Sequence, residues 1–94
     1  MTDYRDQYGN RIVMRRGNLI VDNYDTRIYE IRSHFPNDRV YDTYGNWVYE
    51  IRKHFPYDRI YDTNGNWVYE LRPDPLWGGD RIFDSNGNWL GTEH

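Results

Sequence analysis

The chain has no cysteine, few aliphatic residues and no long apolar run. The absence of Cys from its 94 residues excludes disulfide bonds and thiolate metal sites. The first residues, Met-Thr-Asp-Tyr-Arg-Asp, include no apolar segment of the kind that serves as a signal peptide or membrane span. We therefore expect no membrane partner and, by default, a cytoplasmic location.

The chain also has no large excess of charge of either sign. Twelve basic and 15 acidic residues are interleaved along the chain, and the formal net charge is −3. A nucleic-acid-binding surface normally needs a basic stripe, so we expect no nucleic-acid partner. Arg11, Arg15 and Arg16 form a local basic cluster, for which a solvated turn is favoured over a phosphate site.

Aromatic residues are abundant instead. Only 37% of residues are hydrophobic, but 18% are aromatic, with ten Tyr and four Trp. Any core is therefore expected to consist largely of aromatic rings. A chain this polar buries little apolar surface by itself, which makes self-association an option on composition alone.

A short repeat dominates the sequence. Asp42-Thr-Tyr-Gly-Asn-Trp-Val-Tyr-Glu50 recurs almost unchanged twenty residues later at 62–70, and a third copy begins at Asp84. Repetition at a short period indicates a stack of one small unit, and β-rich runs around a polar loop are typical of a hairpin. In each loop Asp opens a type I turn and Gly takes the left-handed position. The predicted turn residues are Asp42, Gly45, Asp62, Gly65, Asp84 and Gly87.

The hairpin register predicts an aromatic sheet face. With Asp42 opposite Asn46, the next cross-strand pairs are Tyr41–Trp47, Val40–Val48 and Arg39–Tyr49, and arginines beside the rings add cation–π attraction. The predicted ligand or self-interface residues are Tyr41, Trp47, Tyr49, Tyr61, Trp67, Tyr69, Phe83 and Trp89.

Proline-containing segments are predicted to return the chain between hairpins. They are His34–Asp38 and His54–Asp58, with the longer Pro73–Gly79, which contains Trp77, as the third. A loop with an odd number of residues would pair Ile51 with Tyr61 and keep the rings on one side, whereas an even loop would alternate them. The odd loop is favoured.

These patterns predict a single all-β domain over residues 1–94. Residues 30–94 form the regular repeats, and residues 1–29 form a divergent meander with short strands at 11–13 and 19–21. The expected fold is an antiparallel meander of about ten short strands, either an open sheet or barrel-like. Such a sheet must close, fold on itself or pair with another copy because free edges invite association.

The residues whose types could bind a metal ion or catalyse a reaction have simpler structural interpretations. The Asp-x-x-Gly spacing differs from that of a calcium loop, and His34 and His54 are too far apart to share a metal ion. Glu30, Glu50 and Glu70 beside Arg32, Arg52 and Arg72 are expected to form a ladder of ion pairs. No catalytic motif is present in the sequence. We therefore expect no enzymatic activity, no cofactor and no metal.

Two families share features of the repeat. Arg-Ile-Tyr-Asp-Thr-Asn-Gly-Asn-Trp at 59–67 resembles the YD repeats of RHS-type proteins, with the same Tyr-Asp-x-x-Gly at 41–45 and Phe-Asp-Ser-Asn-Gly at 83–87. This resemblance implies β-sheet shells rather than active sites. The repeat is also similar to the aromatic hairpins of choline- and glucan-binding modules. In those modules the Trp-containing strand precedes the turn, whereas here Trp follows the Gly, so their ligand residues do not transfer.

The sequence predicts a structural or protein-interaction module that self-associates through its aromatic face. The expected partner is a second copy of the chain or another protein. The alternative is a module that binds carbohydrate or a small aromatic ligand, with the same rings exposed as a platform.

Overall fold

Eight antiparallel strands form a meander that closes into a barrel in the computed structural model, which describes residues 5–22, 24–76 and 78–90. Each strand pairs with the next, and the last pairs with the first. The strands are β1 (Met14–Arg16), β2 (Leu19–Val21), β3 (Arg27–Arg32), β4 (Asp38–Tyr41), β5 (Trp47–Arg52), β6 (Arg59–Asp62), β7 (Trp67–Pro73) and β8 (Asp80–Asp84). The all-β meander is confirmed, and of the two expected forms the structure has the barrel.

The described residues form eight strands rather than about ten. The expected strand at 11–13 is not present as such, because β1 begins at Met14 and turns at Gly17 into β2. Val13 still bonds to both neighbouring strands: its N–H donates to Val21 O at 2.8 Å and its carbonyl accepts from Ile82 N at 3.0 Å. Trp77 lies outside the described residues. No helix in the described ranges has the length and apolar character needed to cross a membrane.

The repeated turn closes one end of each hairpin. Asp42 N–H donates to Asn46 O at 2.9 Å, and Gly45, at φ 84°, donates to Asp42 O at 3.1 Å. Asp42 Oδ1 accepts from the N–H groups of Tyr44 and Asn46, at 2.9 Å each. The side chain thereby satisfies the loop backbone, which is why Asp opens the turn. The same backbone pattern begins at Asp6, Asp22, Asp62 and Asp84.

A bulge in each regular hairpin changes which side chains face inwards. Tyr41 pairs with Trp47 but Val40 pairs with Tyr49, so Val48 is an extra residue on β5. The same shift occurs between β6 and β7. A bulge places two residues opposite one and reverses the alternation of faces. The predicted pairs Val40–Val48 and Arg39–Tyr49 were therefore wrong.

The return loop between β5 and β6 also differs from the prediction. Ile51 pairs with Ile60 and Arg52 with Arg59, which leaves six residues in the loop rather than an odd number. The predicted pair Ile51–Tyr61 was wrong. Because the bulge and the even loop each reverse the faces once, their effects cancel. Tyr41, Trp47 and Tyr61 consequently still share one side of the sheet.

Aliphatic side chains and three tyrosines fill the barrel interior and form the core. Eight strands give an interior just wide enough for side chains to fill, and here Ile20, Val40, Ile60 and Ile82 are at most 1% exposed. Tyr29, Tyr49 and Tyr69 are the aromatic members of this core. The prediction that the core consists largely of aromatic rings was therefore wrong, because aliphatic side chains make up most of it.

Candidate interaction surface

The outer surface of the sheet from β3 to β8 carries one side-chain arrangement three times. In each copy two arginines lie opposite one another on neighbouring strands: Arg32–Arg39, Arg52–Arg59 and Arg72–Arg81. Beside them two aromatic rings are paired across strands: Tyr41–Trp47, Tyr61–Trp67 and Phe83–Trp89. We call these twelve residues the arginine–aromatic band.

Within the band every arginine is stacked on a ring. The distances from guanidinium carbon to ring centroid are 4.6 Å for Arg32–Tyr41, 4.1 Å for Arg39–Trp47, 4.2 Å for Arg52–Tyr61, 3.8 Å for Arg59–Trp67, 4.3 Å for Arg72–Phe83 and 4.6 Å for Arg81–Trp89. Arginines over aromatic faces at these distances form cation–π contacts, each worth about 0.5–1 kcal/mol at exposed sites. Stacking therefore holds all six guanidinium groups in defined positions.

The glutamates of the repeat neutralise one arginine in each copy. Arg32 pairs with Glu30 at 3.0 Å, Arg52 with Glu50 at 3.2 Å and Arg72 with Glu70 at 3.2 Å. The structure thus has the predicted ladder of ion pairs. Partly exposed pairs of this kind contribute little to stability individually, so their main effect is on the charge distribution of the band.

The second arginine is paired with an acid in only one of the three copies. Arg81 pairs with Asp74 at 3.2 Å. Among the residues that the structure describes, Arg39 and Arg59 have no carboxylate within ion-pair distance, and their Nε atoms are buried without a hydrogen-bond partner. Two guanidinium groups of the band are therefore stacked on tryptophan but not neutralised by an acid.

Six of the eight rings predicted as ligand or self-interface residues lie on the band. Trp47 is 36% exposed and the other five are half-buried; these are Tyr41, Tyr61, Trp67, Phe83 and Trp89. The remaining two, Tyr49 and Tyr69, are 1% and 7% exposed and point into the barrel. Their expected position beside the tryptophans was wrong, because the bulges at residues 48 and 68 turn them inwards.

Inside the barrel, tyrosines at twenty-residue spacing form a column of rings. Tyr49 makes edge-to-face contacts with Tyr29 and with Tyr69, with centroids 5.7 Å apart in both cases. Burial raises the pKa of Tyr69 to about 12. Burial likewise raises the pKa of Tyr29 and of Tyr49 above the ordinary value. The three hydroxyls therefore stay protonated to a higher pH than an exposed tyrosine does.

A buried carboxylate, Asp6, accepts two of these hydroxyls. Its Oδ2 receives hydrogen bonds from Tyr29 OH and, at 3.1 Å, from Tyr49 OH. In the ordinary turn this oxygen accepts from the asparagine amide, as Asp42 Oδ2 does from Asn46 at 3.1 Å. Here Asn10 Nδ2 donates to Tyr29 OH at 2.9 Å instead. The first turn thereby anchors the segment before β1 to the barrel interior.

Sequence reasoning missed Asp6 and Tyr29 as partners. The signal was available: Asp6-Gln-Tyr-Gly-Asn10 matches the turn motif, and Tyr29 precedes Tyr49 by one repeat. What the pattern lacked was any indication that this one turn folds over the barrel end.

The return loops carry exposed rings and histidines. Phe35 and Phe55 are 90% and 91% exposed, and His34 and His54 beside them are also exposed. Within the described residues no group of three or more His, Cys, Asp or Glu side chains is placed to hold a metal ion.

No protein-family model matches the chain, no curated protein matches it in sequence and no solved structure matches it. The geometry of the barrel and its band is therefore the basis for the functional conclusion.

Proposed function

We propose that this protein is a non-enzymatic interaction module that binds protein surfaces, including a second copy of itself, through the arginine–aromatic band. The observation that carries this proposal is the separation of band from core. The barrel interior is filled by Ile, Val, Leu and Tyr side chains, and none of the six rings of the band is among the buried residues. Of these rings, Trp89 packs against a second buried cluster formed by Val13, Met14 and Val21.

The composition of the band suits a protein interface. Trp, Tyr and Arg are the side chains most enriched at the energetic centres of such interfaces. Stacking already restricts the guanidinium groups, as at Arg39–Trp47 and Arg59–Trp67. Ordering long side chains on binding costs roughly 0.5–1.5 kcal/mol each, and this cost is reduced when the side chains are held in place beforehand.

The same stacking disfavours the alternative of a carbohydrate platform. A sugar ring binds by lying flat on an open aromatic face. One face of Trp47 and one of Trp67 are already covered by guanidinium groups, with the cation 4.1 and 3.8 Å from the ring centroid. Each of these rings therefore has at most one face left for a ligand, and the stacked arginines add hydrogen-bond donors, which fits a mixed polar and aromatic protein surface better.

Light scattering on a sizing column tests the proposal. The wild-type chain is expected to show a mass that is a multiple of the 11.6 kDa monomer. Trp67→Ala is expected to return it to the monomer with an unchanged circular dichroism spectrum. Tyr44→Ala is the matched control, because this ring is 88% exposed but lies in a turn outside the band.

Two outcomes would overturn the proposal. One is a Trp67→Ala variant that keeps both the fold and the wild-type oligomeric mass. The other is a monomeric wild-type chain whose tryptophan emission changes on adding a glycan, which would favour the carbohydrate-binding alternative.

A further inference from the structure

We infer that the partner of the arginine–aromatic band is an acidic protein segment, whose carboxylates bind to Arg39 and Arg59. This inference rests on the proposed interaction function and specifies its partner chemistry. It follows from the charge inventory of the barrel, from the geometry of the two arginines and from the charges that surround them.

The acidic side chains of the described residues are almost all engaged within the chain. Asp6, Asp22, Asp42, Asp62 and Asp84 accept hydrogen bonds within their turns. Asp25, Glu30, Glu50, Asp58, Glu70, Asp74 and Asp80 form ion pairs. Asp38 is the exception. Among the described residues, Arg39 and Arg59 therefore form no ion pair, and the glutamates opposite them, Glu50 and Glu70, are paired with Arg52 and Arg72.

The position of these arginines opposite other arginines means that a bound anion would relieve repulsion between like charges. Arg39 lies directly opposite Arg32, and Arg59 directly opposite Arg52. Like charges at directly opposed positions of a sheet destabilise it. Glu30 and Glu50 relieve one member of each pair, and the second member retains its charge. A carboxylate bound to Arg39 or Arg59 would complete the neutralisation of its pair.

The burial of Nε indicates which edge of each guanidinium group a carboxylate would use. The nitrogen buried without a partner is Nε in both Arg39 and Arg59. The two terminal nitrogens form another edge of the planar group, and this edge can hold a carboxylate through two parallel hydrogen bonds. Trp47 and Trp67 orient the plane, so this edge is presented before the partner arrives.

The surrounding charges favour a protein segment over a nucleic acid. Glu50 lies opposite Arg39 and Glu70 opposite Arg59, and these carboxylates would repel a continuous phosphate backbone. A protein segment can instead place single carboxylates at the two arginines.

Fluorescence anisotropy tests the inference with a labelled Glu-Gly repeat peptide as probe and a Gln-Gly peptide of equal length as control. The wild-type protein is expected to bind the Glu peptide and not the Gln peptide. In Arg39→Gln/Arg59→Gln the affinity is expected to fall by about tenfold or more. Arg16→Gln/Lys53→Gln, which makes the same change in net charge outside the band, is expected to stay within about twofold of wild type.

Three results would overturn the inference: no binding of the Glu peptide to the folded protein, an equal loss of affinity in the two double variants, or tighter binding of an oligothymidylate than of the peptide. Each of these indicates no specific carboxylate site. Circular dichroism checks the fold. Arg39→Lys/Arg59→Lys keeps the charge but loses the planar fork, so an intermediate affinity supports the assignment even if the glutamine variant is unstable.

The outcome separates this inference from the proposed function. If Trp67→Ala abolishes oligomer formation while the Glu peptide fails to bind, the band remains the interface but its partner is not an acidic segment. If neither experiment depends on the band, both proposals fail together.

Discussion

The guanidinium carbon of Arg59 lies 3.8 Å from the centroid of the Trp67 ring, and Arg39 lies 4.1 Å from Trp47 one repeat earlier. Each contact joins neighbouring strands, β6 to β7 and β4 to β5. The repeat therefore reproduces a tertiary contact as well as a sequence. Because one side chain of each pair can be removed without opening the barrel interior, the energy of the contact can be measured directly.

A double-mutant cycle on Arg59→Ala and Trp67→Ala is expected to give a coupling free energy of about 0.5–1 kcal/mol, the usual value for a cation–π contact near the surface. Denaturant unfolding of the four proteins, at a concentration low enough that all are monomeric, supplies the measurement. Arg59→Ala with Trp89→Ala is the control, since the cation–π partner of Trp89 is Arg81, and this pair should be additive. Equal coupling in both cycles would show that the effect is not a direct contact.

Asp6→Asn is expected to destabilise the barrel by about 1–3 kcal/mol, because the oxygen that accepts the Tyr29 and Tyr49 hydroxyls is lost in a buried site. Asp42→Asn is the matched control, because Asp42 holds the equivalent position in another turn of the same type, where its Oδ2 accepts from an asparagine amide. Both variants keep the side-chain oxygen that the turn needs. Equal losses in thermal or denaturant unfolding would mean that the tyrosine hydroxyls contribute nothing.

Stability is expected to decrease as the pH rises above 10, because the folded state raises the pKa of Tyr69 from 10.0 to about 12. A phenol with a raised pKa in the fold contributes its full stabilisation below its unfolded pKa and loses it as the pH rises through the folded value. Phenolate absorbance and circular dichroism, recorded together, should show the buried tyrosines ionising as the barrel unfolds. Complete ionisation of all tyrosines with a native circular dichroism spectrum would contradict this.

Gly79→Ala is expected to destabilise the fold more than Gly78→Ala. Both glycines have positive φ angles, 70° and 78°, so either substitution carries a left-handed strain of roughly 1–2 kcal/mol. A Cβ at Gly79 would also lie 2.5 Å from the carbonyl oxygen of Arg15, whereas one at Gly78 meets open space. Unfolding midpoints with unchanged m-values would measure the difference. Equal midpoints would show that the loop moves freely away from β1.

The local chemistry of the repeat was readable from the sequence. Asp42 and Gly45 define a turn because one side chain satisfies the loop backbone and the other residue accepts a positive φ. The pairing of Glu50 with Arg52 followed from their positions on one outward face, and the structure has it at 3.2 Å. These features depend on residues within a single hairpin, which is why the spacing alone identified them.

The positions of Tyr49 and Tyr69 were not readable in the same way. Val48 and Val68 suit a regular strand as well as a bulge, so no residue type marks the reversal of faces there. Closure of the barrel was equally hidden. It depends on Met14 pairing with Arg81 and on Asp6 reaching the Tyr49 hydroxyl. Such contacts join residues that are far apart in the chain, one of which lies outside the regular repeats.

Because the sheet closes into a barrel, the number of hairpins determines the width of the interior, which is not so in an open repeat array. Each regular repeat spans two strands, so one further copy would give a ten-stranded ring with a wider lumen, since barrel diameter grows with strand number. The edge-to-face contacts of Tyr49 with Tyr29 and Tyr69 at 5.7 Å would then span a gap, and Asp6 could no longer meet two hydroxyls at once. Duplication or deletion of a single unit would therefore empty or crush the interior, so this architecture resists change in length one repeat at a time.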